Sequence, residues 1–431
     1  MTNFVQKYQS IIGQVNYTLF LVVVALLPFP QLFLRHAFVL WAFTWMLEGR
    51  FCKKPIAQDW RKMMPFILFG IWYLWKIISG LWADNISDYT WQLNRYLSFG
   101  LLVPVGIWGL NQYYDWKQVC RVLVISCLAA IVLYTFTLFW VQNARAFDYT
   151  LGDITIRPLS SDFFAEKISH IKHRLFLCSV ELMGVMALLY LRKDILQKCG
   201  KVKGYALIIV SIGVICYFIF ATGSRASILS SIALLSVWTL YKLPIRHIRY
   251  KIALILLALA LASIAIMHHP RMKHFNLQDW RSSENTTYHD TDIRFNIWST
   301  ALESPKDYSL YGLGAGQSFN YLQKKYLEHG FNNYTNLNAH NQYIEEWIEE
   351  GLVGVLFFVM IWLSIPYFYS KRARKTAIFL CTIFMLNMLT DCMFGRFDGI
   401  ALWCVWMVLI RLQSENHQEE LPQHKQSPTN H

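Results

Sequence analysis

Apolar residues fall in long runs along this chain, and each run stops at a cluster of charge or turn residues. A helix needs about 20 mostly apolar residues to cross about 30 Å of hydrocarbon. About twelve runs meet or approach that length, near 16–34, 37–48, 64–82, 96–110, 119–140, 174–191, 204–222, 225–242, 251–267, 352–370, 376–393 and 398–412. The runs at 37–48 and 96–110 are short, which suggests tilt, partial re-entry or misplaced bounds. The first run is too long for a signal peptide and lacks a small-residue cleavage site, so it reads as an uncleaved anchor. The pattern predicts an all-α polytopic membrane protein. Nine helices fill residues 1–267, three more fill 351–412, and a large loop at 268–350 joins them; a polar tail at 413–431 reads as disordered.

Basic residues give this arrangement a direction. Arg50, Lys53, Lys54, Arg61 and Lys62 share one set of connections with Lys117, Arg121, Arg192, Lys193, Lys198, Lys201 and Lys203. Lys242, Arg246, Arg249, Lys251, Lys371, Arg372, Arg374 and Lys375 complete that set. By the positive-inside rule these connections, and both termini, are cytoplasmic. Segments 141–173 and 268–350 then lie outside. An ordinary carrier has no need of so long an outer loop, so something is handled on that face.

Composition agrees. Charged residues are 16% of the chain, against about 25% in soluble domains, and 17 tryptophans suit two membrane interfaces. The net charge of +13 is mostly the cytoplasmic bias and an attraction to anionic lipid, not a nucleic-acid footprint. The nine cysteines avoid both outer segments, so there is no disulfide framework, and no Cys/His spacing suits zinc. No internal repeat of fixed period is present.

Chemistry concentrates where outer segments meet the membrane. His340-Asn341, followed after nine residues by Gly351-Leu352-Val353-Gly354, sits where the large loop re-enters. This spacing arises by chance about once in fifty chains of this length. His340 at a water–lipid boundary suits proton transfer, though alone it would read as a helix-capping residue. Arg225, within Thr222-Gly223-Ser224-Arg225, is held near the outer boundary, where a guanidinium calls for an anion or carboxylate. The helix starting at Ser224 also turns its N-terminal amides outward; a snorkelling arginine is the plainer alternative. Arg294 and Trp298 are four apart on one helical face of the large loop, where Arg294 is either a second anion clamp or a surface residue.

Other features weigh less. Asp290-Thr291-Asp292 has the form of a metal-binding triplet, but nothing here offers the nucleotide-binding domain such triplets serve, so no metal is expected. Gly312-Leu313-Gly314-Ala315-Gly316 lacks the strand and the spacing of a nucleotide loop and reads as a tight turn near the site. Lys76, Glu181 and Asp391 lie in or beside apolar runs, where charge is either functional or paired. Arg95 is a further anion candidate, and His173-Arg174 marks the re-entry of the first outer segment. No nucleophile elbow, Walker loop or metalloprotease signature is present.

Taken together, Thr222-Gly223-Ser224-Arg225, Arg294 with Trp298, Gly312-Leu313-Gly314, and His340-Asn341 through Gly351 and Gly354 resemble the O-antigen ligase and O-antigen polymerase family of bacterial envelope enzymes. The resemblance covers about 204–370; the N-terminal half is similar only in its helix pattern. It implies a GT-C-like glycosyltransferase of the inner membrane that takes a glycan from undecaprenyl pyrophosphate on the periplasmic face, with no cofactor and no metal. His340 would then activate the acceptor hydroxyl, and Arg225 and Arg294 would hold the pyrophosphate. Asn341, Ser224, Trp298, Arg95 and Asp391 would line the substrate. The late position of the large loop favours a ligase that passes glycan to lipid A-core. A repeat-unit polymerase, a protein oligosaccharyltransferase and a lipid-linked sugar transporter are the other readings, in that order.

Overall fold

The computed structural model describes residues 2–49, 60–144, 159–242, 248–268, 290–332, 334–335, 337–369 and 371–415. Parts of both expected outer segments (145–158 and 269–289) and the tail from 416 lie outside those residues, as do the side chains of Arg225 and of Asp290 to Asp292.

The fold is all-helical among the described residues. In chain order the helices are α1 (Thr2–Leu26), α2 (Gln31–Leu47), α3 (Trp60–Ile78), α4 (Ile86–Trp108), α5 (Trp116–Ala144), α6 (Ser161–Ile171), α7 (Arg174–Tyr190) and α8 (Arg192–Cys199). They continue with α9 (Lys201–Ala221), α10 (Arg225–Lys242), α11 (Ile248–His268), α12 (Asp290–Glu303), α13 (Ser318–Glu328), α14 (Gln342–Phe368), α15 (Lys371–Met388) and α16 (Phe397–Glu415). The short runs at 37–48 and 96–110 thus belong to helices that start earlier, at Gln31 and Ile86. Among the described residues, five helices are long and apolar enough to cross a membrane: Tyr8–Leu26, Trp60–Leu81, Trp116–Asn143, Lys201–Ala221 and Gln342–Phe368. A sixth results if Phe163–Ile171 and Arg174–Tyr190, bent by 90° to each other, form one broken span.

Burial separates central from peripheral helices. α7 is buried on all sides from Leu175 to Leu188, and α16 from Ile400 to Gln413, so both are enclosed by other helices. Trp72, Trp362, Trp403 and Trp406 pack with Phe99, Phe384 and Phe394 into an aromatic core. α9 instead exposes Leu207, Ile209, Val210, Val214 and Tyr217, an apolar face suited to lipid.

The segment from α12 to the start of α14 has a small core of its own, built from Ile297, Ala301, Tyr308, Leu322, Tyr326, Ile344 and Ile348. A glycine break attaches it to the bundle. α14 runs through Gly351, whose φ of 66° and ψ of −169° interrupt the helix. The carbonyls orphaned by that break accept Leu313 N–H (from Ile348, 2.9 Å) and Gly314 N–H (from Glu349, 2.8 Å), while Leu352 N–H donates to Ser309 at 3.0 Å. The Gly312–Gly316 stretch is therefore a stitch between segments. A Cβ on Gly312 would collide with the Glu349 carbonyl.

Candidate functional site

Helix ends converge on a cavity of about 150 Å³ lined by His173, Arg174, Leu175, Gly223, Ser224, Ala226, Arg294, His340, Thr390 and Asp391. His173 and Arg174 stand at the start of α7, Gly223 and Ser224 lead into α10, His340 lies two residues before α14, and Thr390 and Asp391 follow α15. The N-termini of α7, α10 and α14 thus lie in or beside one space, and their positive dipole ends favour negative charge there. Two guanidiniums face one carboxylate there, so with neutral imidazoles the lining carries net positive charge. Such a cavity favours an anionic group.

Asp391 sits between two imidazoles. Its Oδ1 lies 3.6 Å from His340 Nδ1, and its Oδ2 lies 3.5 Å from His173 Nε2. Oδ1 also accepts the Cys392 N–H at 2.8 Å. Burial alone would raise this carboxyl, but the approach of His340 and the electrostatic influence of His173, His340 and Arg294 prevail and hold it at about 2. His173 stands in the connection between α6 and α7. Burial lowers its pKa below the ordinary 6.5, with Arg396 and His340 adding to that effect, while Asp391 and Asp398 oppose it.

The loop that presents His340 is held from several sides. His340 has a φ of 45°, the single non-glycine residue with positive φ among the described residues. Such a conformation persists only where its surroundings enforce it. Asn338 Oδ1 accepts the His340 N–H at 3.1 Å, Glu345 Oε2 accepts the Ala339 N–H at 3.1 Å, and Trp298 Nε1 donates to the Ala339 carbonyl at 3.0 Å. Asn341 caps α14 by accepting from Tyr343 N–H at 2.9 Å and Ile344 N–H at 3.2 Å, and its Nδ2 reaches the Leu389 carbonyl. That last bond ties the His340 loop to the turn that carries Asp391.

Of the residues singled out from the sequence, His340, Arg294, Ser224 and Asp391 meet in the cavity. Asn341 and Trp298 stand behind it and fix backbone. Arg95 is not in the lining; it donates to the Gly395 carbonyl at 2.8 Å and stacks 3.6 Å over the Trp91 ring. Arg225 opens α10 beside Ser224, and its side chain lies outside the described residues. Lys76 is paired within the bundle, at 3.1 Å from Glu346 and 3.2 Å from Glu350, and Glu181 is buried in α7 beside Cys127. His173, Arg174 and Thr390 were given no role from the sequence. The only signal for the first two was a charged pair at a re-entry point, which does not say that α7 begins beside α10 and α14. Among the described residues no group of three or more His, Cys, Asp or Glu is arranged to hold a metal.

Fold and site together define a multi-pass helical membrane protein with a positively charged pocket at the ends of its helices. Residues 207–359 match the family model described as O-antigen ligase, and this stretch contains Ser224, Arg225, Arg294 and His340. That stretch, about a third of the chain, is similar to the O-antigen ligase family. It is also similar to an uncharacterized protein of Haemophilus influenzae, 33% identical over 85 residues. That similarity spans 19% of this chain and 21% of the relative, about a fifth of each.

Proposed function

We propose that the protein is an O-antigen ligase, transferring a glycan from undecaprenyl pyrophosphate to lipid A-core on the periplasmic face of the inner membrane. The observation that carries this reading is the meeting of His340, Asp391 and Arg294 at three helix N-termini, within the stretch that matches the family and its neighbouring turn. A twelve-span, GT-C-like topology with both termini cytoplasmic is part of the same reading. The basic connections support that orientation. Arg192, Lys193, Lys198, Lys201 and Lys203 lie between the far ends of α7 and α9, away from the cavity. Arg374 and Lys375 likewise begin α15, whose other end borders it.

In the proposed reaction the acceptor hydroxyl oxygen bonds to the anomeric carbon as the bond from that carbon to the pyrophosphate oxygen breaks. Undecaprenyl pyrophosphate departs with the bonding pair. Its charge is met by Arg294 and Arg225, each worth roughly 2–4 kcal/mol in a water-poor site. His340 turns Nδ1 to Asp391, which leaves Nε2 to take the hydroxyl proton. Asp391 stays ionised and stabilises the imidazolium that results, as a carboxylate does behind a general-base histidine.

The test is an analysis of lipopolysaccharide and lipid-linked glycan from cells lacking the gene, complemented with wild-type or His340→Ala protein. Bare core with polymer stranded on its carrier, restored by wild type and not by His340→Ala, is the expected result. Core capped by one repeat unit would instead identify a polymerase. An unchanged profile, or a fully active His340→Ala protein, would reject this chemistry.

A further inference from the structure

We infer that His173 is a positioning residue for the transfer reaction: it holds one oxygen of Asp391 so that the other stays turned to His340. The inference rests on the proposed reaction and adds a residue to it that lies outside the family-matched stretch.

The geometry divides the Asp391 carboxylate cleanly. Oδ1 takes the Cys392 N–H at 2.8 Å and faces His340 Nδ1, while Oδ2 faces His173 Nε2. Without His173, the hydrogen bond left to set the rotation of that side chain is the Cys392 N–H on Oδ1, with His340 at 3.6 Å on the same side and the charge of Arg294 beside it. A carboxylate held at a single point can turn away from the imidazole it is meant to serve.

His173 is itself held in place. It occupies the N-cap position of α7, yet its side chain makes no capping bond to its own helix. The ring packs against Phe176 at 5.2 Å between centroids. The preceding residue is clamped: Lys172 Nζ donates to Asp398 Oδ1 at 2.9 Å and to the Phe29 carbonyl at 2.6 Å. The bend between α6 and α7 is thus pinned to α16 and to the α1–α2 connection, and the imidazole projects from a fixed base. Its Nδ1 is buried and has no hydrogen-bond partner. A neutral ring with its proton on Nε2 fits that setting, since a bare Nδ1 brings no donor that must be satisfied. The charged groups acting on the ring are Asp391, Asp398, Arg396 and His340. A neutral donor fixes Asp391 without cancelling the negative charge that stabilises a protonated His340.

A salt bridge that merely staples α7 to the turn after α15 would give the same distances, so the experiment must separate the two. Full-length protein in proteoliposomes is assayed with undecaprenyl-pyrophosphate-linked glycan and lipid A-core. His173→Leu, which has no donor, should lower kcat by about 10²-fold with donor and acceptor KM unchanged. His173→Gln keeps an N–H for Asp391 Oδ2 and should stay within a few-fold of wild type. In an Asp391→Ala background His173→Leu should cost nothing further, because the two act as one unit. If His173→Leu does not yield folded protein, His173→Phe replaces it. Equal activity of the Gln and Leu (or Phe) variants, or a loss that persists without Asp391, would overturn the role of His173. Wild-type protein that transfers no glycan would instead sink the proposed function, so the two failures are distinguishable.

Discussion

Lys76 Nζ lies 3.1 Å from Glu346 Oε2 in the fully buried contact between α3 and α14. The same ammonium meets Glu349 at 3.5 Å and Glu350 at 3.2 Å, and it packs over the rings of Trp72 and Tyr96. Glu345 joins this cluster through Ser318, whose Oγ bridges Glu345 and Glu349, and Glu345 in turn accepts the Ala339 N–H beside His340. Lys76 thus meets three of the four carboxylates of the acidic face under the candidate site, and Arg95 adds positive charge near Glu345 and Glu349. Removing Lys76 strands buried carboxylates, which typically costs 3–5 kcal/mol, about what breaking a buried pair costs elsewhere. Lys76→Met should lower the unfolding midpoint of the purified protein sharply, and a second change, Glu346→Gln, should recover part of the loss. A Lys76→Met protein as stable as wild type would mean that the cluster is compensated by other groups.

Arg294→Lys and Arg225→Lys each keep the charge and lose the planar fork that matches pyrophosphate oxygens. Each should reduce transfer by about 10- to 100-fold with little effect on stability. In the proposed reaction arginines take the part a divalent cation plays elsewhere, so a chelator should leave the wild-type rate unchanged. Wild-type activity in both lysine variants would remove the clamp from the mechanism.

Gly351→Ala tests the helix break. An alanine there would have to hold a φ near 66° and drive its Cβ into the Leu310 carbonyl oxygen. Strain of this backbone kind costs about 1–3 kcal/mol before the collision is added. The expected outcome is a protein that unfolds at lower temperature and is cleaved by protease in the 309–314 segment. Unaltered stability would show that the stitch between this segment and α14 can re-form around a side chain.

The pH dependence has a definite sign. The His173 value is lowered in the folded protein, so its stabilising contribution is complete above the ordinary 6.5 and is lost as pH falls below that value. Asp391, held at about 2, contributes fully above its ordinary 3.8 and loses that contribution only as pH falls toward 2. Thermal unfolding between pH 7.5 and 5 should therefore show wild type weakening as pH falls, and His173→Gln weakening less. Identical pH profiles for the two proteins would remove His173 as a source of the effect.

The sequence by itself determined the helical membrane class, because twenty-residue apolar runs have few other uses and backbone polar groups in lipid must bond within their own helix. It also singled out His340, Ser224, Arg294 and Asp391, since charge and imidazole at membrane re-entry points are costly to keep without a purpose. What it could not decide was which helix ends meet. α7, α10, α14 and the turn after α15 are separated by up to about two hundred residues in the chain. Their convergence depends on side-chain packing and on links such as Asn341 to Leu389 and Lys172 to Asp398. Only that convergence separates Arg95, bonded to a backbone carbonyl, from Arg294 in the cavity, and turns His173 from a re-entry marker into a neighbour of Asp391. Local pattern specifies helices and the cost of burying charge; partner identity is a property of tertiary packing.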